Sequence, residues 1–380
     1  MTAVAMLGEQ QRMIRDTARR FAQAEILPHA REWEKTGAPA ELLRKMGEAG
    51  LMGVCIDPEW GGAGADFTSY VLAMEEISAA DGGIANLMAA NNSPVAAALQ
   101  QHGTTAQKRR LLPDLTAGRR IGAFLLTEPH TGSDAAAIRT KAERHGDGFV
   151  LNGQKQFITA GARAGVAMIV AVTDPEAGGR GISTFITPTD NPGYRVLRQE
   201  AKLGHRTNDT CAIALADMVV PTDDLLGEEG RGLAIALANL SAGRIGVAAQ
   251  AVGGARAAYQ AALAYAKERE AFGKPIIEHQ AVAFRLAEMA TGIEAGRRLY
   301  LHAAAVHDSG AESLKEASMA KLFASDMAER VASAAIQTLG GYGYLEDYPV
   351  AKILRDVRVY RIYEGTNDIQ KIVISRALAR

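Results

Sequence analysis

The first third of the chain carries apolar residues at helical spacing. In one stretch rich in arginine and glutamine, Ile14, Ala18, Phe21 and Ala24 follow one another at intervals of three or four residues. Because about 3.6 residues complete a helical turn, these side chains share one face, and the spacing predicts amphipathic helices. Segments rich in glycine and proline interrupt the pattern before about residue 115, so several helices are expected.

Near Ile121 the pattern changes to short runs in which apolar and polar residues alternate. The stretch HGDGFVLNGQKQFITAG contains two turn signals, Gly146-Asp147-Gly148 and Asn152-Gly153, flanked by such runs. This arrangement is typical of antiparallel strands. Further strand candidates are VAMIVAV, STFITP and CAIALADMVV, separated by turn-rich segments. The pattern predicts a small all-β unit of antiparallel sheet over residues from about 121 to 225.

Helical spacing returns after the segment GEEGRG. Alanine-rich stripes run from Ile245 to Ala266 and from Ala320 to Ala334, and small side chains allow the close helix packing of a bundle. The predicted fold is therefore mainly α with a central β domain. It has an N-terminal α-helical domain over residues 1–120, a middle β domain over 121–228 and a C-terminal helical bundle over 229–380.

Composition narrows the class of protein. The chain has 380 residues, 48% of them apolar and 22% charged, with a formal net charge of −1. This is typical of a soluble globular protein and gives no basic footprint for nucleic acid. The longest apolar run, VAMIVAV, is far shorter than the roughly 20 residues of a membrane span, so no membrane association is expected.

The two cysteines, Cys55 and Cys211, lie far apart in the chain. A disulfide framework is therefore not expected, and a reducing, cytoplasmic location fits best. The N-terminal segment turns polar within ten residues, which argues against a secretory signal. The eight histidines show no metal-binding spacing, so no metal site is expected.

Three polar or glycine-rich stretches are candidates for ligand binding, and each also has a simpler interpretation. AFLLTEPHTGSD carries hydroxyls and backbone N–H groups that could meet a phosphate or a flavin edge, or it is an ordinary polar turn. In QTLGGYGYLEDYP the glycines allow a helix cap or close approach of a ligand, but no strand precedes them as a dinucleotide fingerprint requires. In KEREAFGKPIIEHQ, Arg269 and Lys274 could bind an anion or be solvated helix-end charges.

Glu364 is the candidate base, or else a solvated loop residue. It lies in RIYEGTNDIQ, where Thr366 is placed to cap a helix beginning at about Asn367 and Gly365 allows a sharp turn. The helix N-terminus favours the ionised carboxylate, whereas apolar burial raises its pKa. We expect the empty site to keep Glu364 ionised and a bound apolar ligand to make it a stronger base, which suits proton abstraction next to a carbonyl.

Together, these segments resemble the acyl-CoA dehydrogenase family over essentially the whole chain. AFLLTEPHTGSD and LNGQKQFITAG look like its two signatures, REAFGKPIIEHQ and QTLGGYGYLEDYP like its cofactor segments across the subunit interface, and IYEGTNDIQ like its catalytic loop. The resemblance implies an N-terminal helical domain, a middle antiparallel β-barrel or sandwich and a C-terminal four-helix bundle. It also implies a homotetramer, a dimer of dimers, with one FAD per subunit.

The resemblance also implies roles for individual residues. The predicted FAD contacts are Phe124, Leu126, Thr127, Gly132, Ser133, Phe157, Ile158, Thr159, Arg269, Phe272, Gln280, Gln337, Gly340, Gly341, Thr366 and Asp368. Of these, Arg269, Phe272, Gln280 and the segment from Gln337 to Gly341 are expected to reach the FAD of a neighbouring subunit. Ser133, Ser241, Arg244 and Gly365 are predicted to bind the acyl-CoA.

By the same resemblance, Glu364 removes the α-proton of a bound acyl-CoA while the β-hydrogen leaves as hydride to flavin N5. The product is a trans-2-enoyl-CoA, and the electrons pass to an electron-transfer flavoprotein. The Glu364 backbone N–H and a flavin ribityl hydroxyl are expected to hold the thioester oxygen. Some branches of the family carry the base one residue before the arginine that matches Arg244, but Gly243 occupies that position here.

The chain departs from the family pattern at four positions. Ser241 replaces a common Asp, Phe157 the usual Trp beside the flavin, His130 a common Gly, and Asp368 a more usual Glu or Gln. The first two could alter specificity, and none removes the chemistry. AANNSPVAAALQQHG, from Ala89 to Gly103, looks like short-chain members, which favours short acyl groups.

Three alternatives remain open from the sequence. An acyl-CoA oxidase would share the fold and differ in the reaction of its reduced flavin with dioxygen. A non-redox acyl-CoA lyase or desulfinase would not need the base, so Glu364 argues against it. A non-catalytic scaffold would use the glycines only as helix caps and would bind no flavin.

Overall fold

The computed structural model describes residues 7–379. The prediction about a secretory signal concerns a segment whose residues 1–6 lie outside this range. Within the described residues, seven α-helices precede the sheet: α1 (Glu9–Phe21), α2 (Ala30–Thr36), α3 (Ala40–Glu48), α4 (Phe67–Ala80), α5 (Gly82–Ala90), α6 (Ala97–His102) and α7 (Thr105–Thr116). Asp66, Asp81 and Thr104 cap α4, α5 and α7 by accepting a backbone N–H with their side chains.

A seven-stranded sheet follows, with strands β1 (Gly122–Leu125), β2 (Lys141–His145), β3 (Gly148–Thr159), β4 (Val166–Val172), β5 (Ile182–Pro188), β6 (Tyr194–Gln199) and β7 (Thr210–Pro221). Its order is β1-β4-β2-β3-β7-β6, and β5 pairs with β4. The expectation of a wholly antiparallel unit is wrong for β1, which lies parallel to β4, and for the single β2–β4 pair. No tight hairpin joins β1 to β4, because β2 and β3 intervene in the chain.

One of the two predicted turns is confirmed. The segment around Gly146 joins β2 to β3, whereas Asn152-Gly153 lies inside β3, at a shift in its register with β7. A Cβ at position 153 would stand 2.4 Å from Thr140 Oγ1. The glycine therefore permits a close approach within the sheet rather than a chain reversal.

The last part of the chain is again helical. It comprises α8 (Gly232–Glu268), the short strands β8 (Glu270–Ala271) and β9 (Lys274–Pro275), α9 (Gln280–Asp308), α10 (Leu314–Leu339), α11 (Pro349–Val357) and α12 (Asn367–Leu378). Helix α10 packs against α8, α9 and α12, while α4 packs against α8 and α9. One apolar cluster therefore contains both Met46 from α3 and Ala248 from α8. The helices that precede the sheet in the chain share a core with the helices that follow it.

Helix α8 is long and apolar enough to cross a membrane if only length and composition are considered. The sequence analysis missed this signal because it considered only uninterrupted apolar runs. A buried core helix satisfies the same criterion, and 56% of the most apolar part of α8 is buried inside the protein. The apolar character of α8 is thus matched by its packing against α4, α9 and α10.

Candidate active site

Glu364 lies in a loop immediately before α12. Thr366 caps this helix, since its side chain accepts the Ile369 N–H, and Gly365 has φ 85°. The predicted cap and turn are therefore confirmed. Glu364 itself has φ 55°, a left-handed conformation that a non-glycine residue keeps only where its surroundings fix it.

Two side chains fix this loop by binding its carbonyl groups. Gln370 Nε2 donates to Glu364 O at 3.2 Å and to Gly365 O at 2.8 Å. Lys321 Nζ, from α10, donates to Gly365 O and to Asn367 Oδ1, both at 2.8 Å. The base is thus carried on a short segment tied to α10 and α12.

Neither Lys321 nor Gln370 was identified from the sequence. Lys321 interrupts the buried alanine stripe of α10, between Ala320 and Ala324, and is itself 0% exposed. A cation at a core position requires a buried partner, and this is the signal that could have identified it.

The carboxylate of Glu364 is poorly solvated. The residue is half-buried, but Oε2 is removed from solvent and has no hydrogen-bond partner among the described residues. Burial raises the pKa of Glu364 to about 7, although Arg244 and Lys321 act in the opposite direction. The empty site therefore keeps Glu364 only partly ionised near neutral pH, less than expected, because desolvation outweighs the nearby cations.

Helix α8 leaves room for the carboxylate beside two of its residues. A Cβ at Gly243 would lie 2.7 Å from Glu364 Oε2, so even a methyl group there would displace the base. Arg244 is 8% exposed, and its Nη1 donates to Ser318 Oγ at 3.4 Å. Its charge helps to keep the pKa of Glu364 from rising further.

A cavity of about 750 Å³ opens at Glu364. It is lined by these predicted residues: Thr127, Gly132, Ser133, Phe157, Thr159, Glu364, Gly365 and Thr366. The hydroxyl groups of this lining, the exposed ring of Phe157 and a Glu364 oxygen that has no hydrogen-bond partner among residues 7–379 match the needs of a flavin and an acyl thioester. The residues present therefore fit FAD.

A buried ion pair supports the wall of this cavity. Lys155 Nζ lies 2.9 Å from Glu128 Oε1 and donates to Leu126 O and Val170 O. The Glu128 carboxylate also accepts the N–H groups of Arg139 and Thr140. The two stretches TEPHTGSD and NGQKQFITAG are thereby joined beneath Thr127, a link that the sequence analysis did not predict.

A second group of predicted residues lies elsewhere on the chain. Arg269, Gly340 and Gly341 line a separate cavity of about 420 Å³ at the end of the helical bundle. Phe272 is 97% exposed, and Gln280 and Gln337 are exposed as well. Within one chain these residues are not brought to the Glu364 cavity.

The remaining predicted residues do not present side chains to the Glu364 cavity. Leu126 and Ile158 are buried in apolar clusters, and Phe124 packs against two such clusters. Ser241 is half-buried on α8, one turn before Arg244, and Asp368 is exposed on the first turn of α12. Among residues 7–379, no group of three or more His, Cys, Asp and Glu side chains could hold a metal ion.

The raised pKa of Glu364 predicts that the wild-type protein and Glu364→Gln differ in stability by an amount that depends on pH. Between its ordinary pKa of 4.5 and the folded value of about 7, the folded protein binds more protons than the unfolded chain, so the contribution of Glu364 is lost as the pH rises through 7. Glu364→Gln should therefore stabilise the protein by about 3 kcal/mol above pH 7 and have little effect near pH 4. Melting temperatures of both proteins at pH 5 and pH 8 test this, and an equal difference at both values would contradict it.

Comparison with known proteins supports one family over the whole chain. The family descriptions that match are the N-terminal, middle and C-terminal domains of acyl-CoA dehydrogenase, over residues 8–119, 123–218 and 230–379. An acyl-CoA dehydrogenase of Bacillus subtilis is 46% identical, covering 97% of this chain and 98% of its own.

Two solved structures superpose closely. Butyryl-CoA dehydrogenase from Megasphaera elsdenii has a TM-score of 0.96 at 40% identity, covering 99% of each chain. A chain from work on the electron transferring flavoprotein of Acidaminococcus fermentans has a TM-score of 0.97 at 45% identity, also covering 99% of each chain. Sequence and fold agree, and the chain belongs to the acyl-CoA dehydrogenase family of FAD-dependent oxidoreductases.

Proposed function

We propose that the protein converts a short-chain acyl-CoA to its trans-2-enoyl-CoA, with Glu364 as the base that removes the α-proton. The observation that carries the proposal is the Glu364 carboxylate, which lines the cavity that fits FAD, has one oxygen without a hydrogen-bond partner in the described part of the chain, and has a pKa raised to about 7. A base of this strength accepts a proton near neutral pH and releases it again after turnover. FAD, when bound, supplies the acceptor for the β-hydrogen and its two electrons.

The charges around Glu364 support its part in the reaction. Arg244 and Lys321 both lower the pKa of Glu364, which keeps a fraction of the carboxylate ionised despite burial. The left-handed loop at Glu364 and Gly365 leaves the Glu364 backbone N–H as the proposed donor to the thioester oxygen, where negative charge develops. Ser133, Arg244, Ser241 and Gly365 are proposed to bind the acyl-CoA.

The short-chain assignment has two supports. The Megasphaera elsdenii relative is a butyryl-CoA dehydrogenase. In this chain Tyr70, 2% exposed, lies against α8, since a Cβ at Gly246 would be 3.6 Å from its hydroxyl. The charge of Glu364 contributes to raising the pKa of Tyr70, so the ring is close to the base. We propose that this buried ring limits the depth available to an acyl chain.

The separate cavity at the end of the bundle supports an assembled enzyme. Arg269, Phe272, Gln280, Gln337, Gly340 and Gly341 are proposed to bind the FAD of a neighbouring subunit in a homotetramer. Within one chain, a Cβ at Gly340 or Gly341 would meet no atom within 4 Å, and Phe272 is almost fully exposed. An exposed aromatic ring beside open glycine backbone is suited to contact with another molecule.

Replacing Arg269 with Ala tests the role across the subunit interface. A guanidinium bound to phosphate contributes about 1.5–3 kcal/mol, so FAD affinity should fall about tenfold or more. Tetramer stability should fall with it, while a subunit that still holds FAD keeps its Glu364 chemistry. Flavin retention on gel filtration and sedimentation velocity are the measurements, with the exposed Arg109→Ala as a control. Unchanged flavin binding and assembly would rule the role out.

An electron-transfer flavoprotein is the proposed electron acceptor, and a cytoplasmic location is proposed with it. The support for the acceptor is the likeness to a chain from work on the electron transferring flavoprotein of Acidaminococcus fermentans. Both cysteines, Cys55 and Cys211, are free, as suits a reducing compartment.

An acyl-CoA oxidase would instead pass its electrons to dioxygen. Rapid reoxidation of the reduced protein by air would favour the oxidase over the dehydrogenase.

Product analysis tests the proposed reaction. Butanoyl-CoA incubated with the protein and an artificial electron acceptor should yield butenoyl-CoA, detected by mass spectrometry as the loss of two hydrogens. A lyase or desulfinase activity would give a different mass change without net oxidation. Absence of enoyl-CoA from butanoyl, longer, branched and aromatic substrates would reject the proposal.

A further inference from the structure

Lys321 lies beneath the catalytic loop with its whole side chain in the protein core. It is 0% exposed, and its Nζ makes two hydrogen bonds, one to the Gly365 carbonyl and one to the Asn367 side-chain oxygen. Asn367 is held in turn, because its Nδ2 donates to Ser325 Oγ and to Asp326 Oδ1. Lys321 therefore connects the loop to a hydrogen-bonded group on α10 rather than making an isolated contact.

The loop needs such a connection. Glu364 and Gly365 both have left-handed backbone, with φ 55° and 85°, and such conformations persist only where neighbouring groups determine them. Lys321 and Gln370 both donate to Gly365 O. Only Lys321 brings a charge, and that charge acts on Glu364.

The hydrogen bonds and the charge of Lys321 are separable. An ammonium group has three N–H donors, and two of them are used here. A neutral amine keeps two N–H donors, so both hydrogen bonds survive loss of a proton. The charge of Lys321 is therefore free to respond to that of Glu364 without release of the loop.

We propose that Lys321 is the positioning residue of the base: its hydrogen bonds hold the loop on which Glu364 stands, and its positive charge joins that of Arg244 as a buried counter-charge of the Glu364 carboxylate. This inference rests on the proposed function of Glu364 as base. The other charges that act on Lys321 are Arg244 from α8, Asp326 from α10 and Arg361 from the turn before the loop. Burial lowers the pKa of Lys321 to about 7, close to that of Glu364, so protonation of either group favours loss of a proton from the other.

The test replaces Lys321 with Met, which removes the donors and the charge at similar length. The matched control is Lys315→Met, a partly exposed lysine on the same helix, whose Nζ lies 3.1 Å from Glu316. In Lys321→Met, the rate constant of flavin reduction by butanoyl-CoA should fall about 10–100-fold, the range of a misplaced base, with KM changed less than about threefold. The pKa governing its pH profile should rise by about one unit, since a counter-charge is lost. Lys315→Met should match the wild type.

A second readout does not depend on activity. The stability difference between Glu364 and Glu364→Gln is measured against pH with Lys321 present and with Lys321→Met. The difference begins near the unfolded pKa of 4.5 in both cases, but the pH at which it levels off, set by the folded-state pKa, should move upward without Lys321. If wild-type flavin is not bleached by any acyl-CoA, the proposed function fails, while this comparison still decides whether the two groups are coupled.

Two results would overturn the inference. One is a folded, FAD-bound Lys321→Met protein whose rate constant and pH profile match those of the wild type. The other is a lower melting temperature with neither pKa readout moved, which would show a merely structural role. If the Met variant does not fold, Lys321→Gln, neutral but polar, replaces it with the same expected rise in pKa and the same contradicting results.

Discussion

Glu364→Gln should lose flavin reduction by acyl-CoA, with the rate constant falling by about 10⁴-fold, the upper range for removal of a general base. The amide has nearly the shape of the carboxylate but is a very poor base. Helix α8 offers no carboxylate that could replace Glu364, because its nearest residue to the Glu364 side chain is Gly243. Stopped-flow absorbance of the flavin under anaerobic conditions measures the effect.

The same variant should retain FAD and the fold. Glu364 Oε2 makes no hydrogen bond in the described structure, so replacing it breaks none. The control is Glu312→Gln, an exposed acid in the loop between α9 and α10, which should reduce flavin at the wild-type rate. Wild-type reduction by Glu364→Gln would end the assignment of the base.

Lys155→Met should destabilise the protein by about 3–5 kcal/mol, because removal of one member of a buried ion pair leaves the other charge uncompensated. Lys155 is 0% exposed and contacts Glu128, Leu126 O and Val170 O. Burial lowers its pKa to about 8, with Glu128 opposing the change. Since the pair lies beneath Thr127, flavin binding should weaken as well. Denaturant unfolding and flavin titration measure both effects.

The double variant Lys155→Met/Glu128→Gln provides the control. It removes the stranded carboxylate, so part of the lost stability should return. The recovery should be partial, because Arg139 N–H and Thr140 N–H bond different oxygens of Glu128 and the Gln amide has a single acceptor oxygen. Wild-type stability and wild-type flavin affinity in Lys155→Met alone would contradict the proposal that this ion pair supports the cavity wall.

The sequence was sufficient to predict those parts of the structure that a local pattern of residues determines. Thr366 and Gly365 define a helix cap and a turn within three residues, and both were predicted correctly. The helices before and after the sheet followed from apolar spacing. The turn predicted at Asn152-Gly153 was wrong, because this dipeptide occurs both in hairpin turns and at close approaches inside a strand. Only the position of Thr140 in the folded protein decides between the two.

The features that sequence could not supply depend on contacts between distant segments. Lys321 and Gly365 are 44 residues apart, and Lys155 and Glu128 are 27 apart. The pKa of Glu364 was misjudged for the same reason: the helix N-terminus is visible in the sequence, but the depth of burial is a property of the folded surroundings. Arg269 and Phe272 lie away from Glu364, and one chain alone does not bring them to the Glu364 cavity.

The central claim is best tested by the visible spectrum of the purified protein under anaerobic conditions, before and after addition of butanoyl-CoA. The account predicts bleaching of the flavin band and a new long-wavelength charge-transfer band, both absent from Glu364→Gln. An unchanged flavin band with butanoyl-CoA and with longer, branched and aromatic acyl-CoA would contradict it.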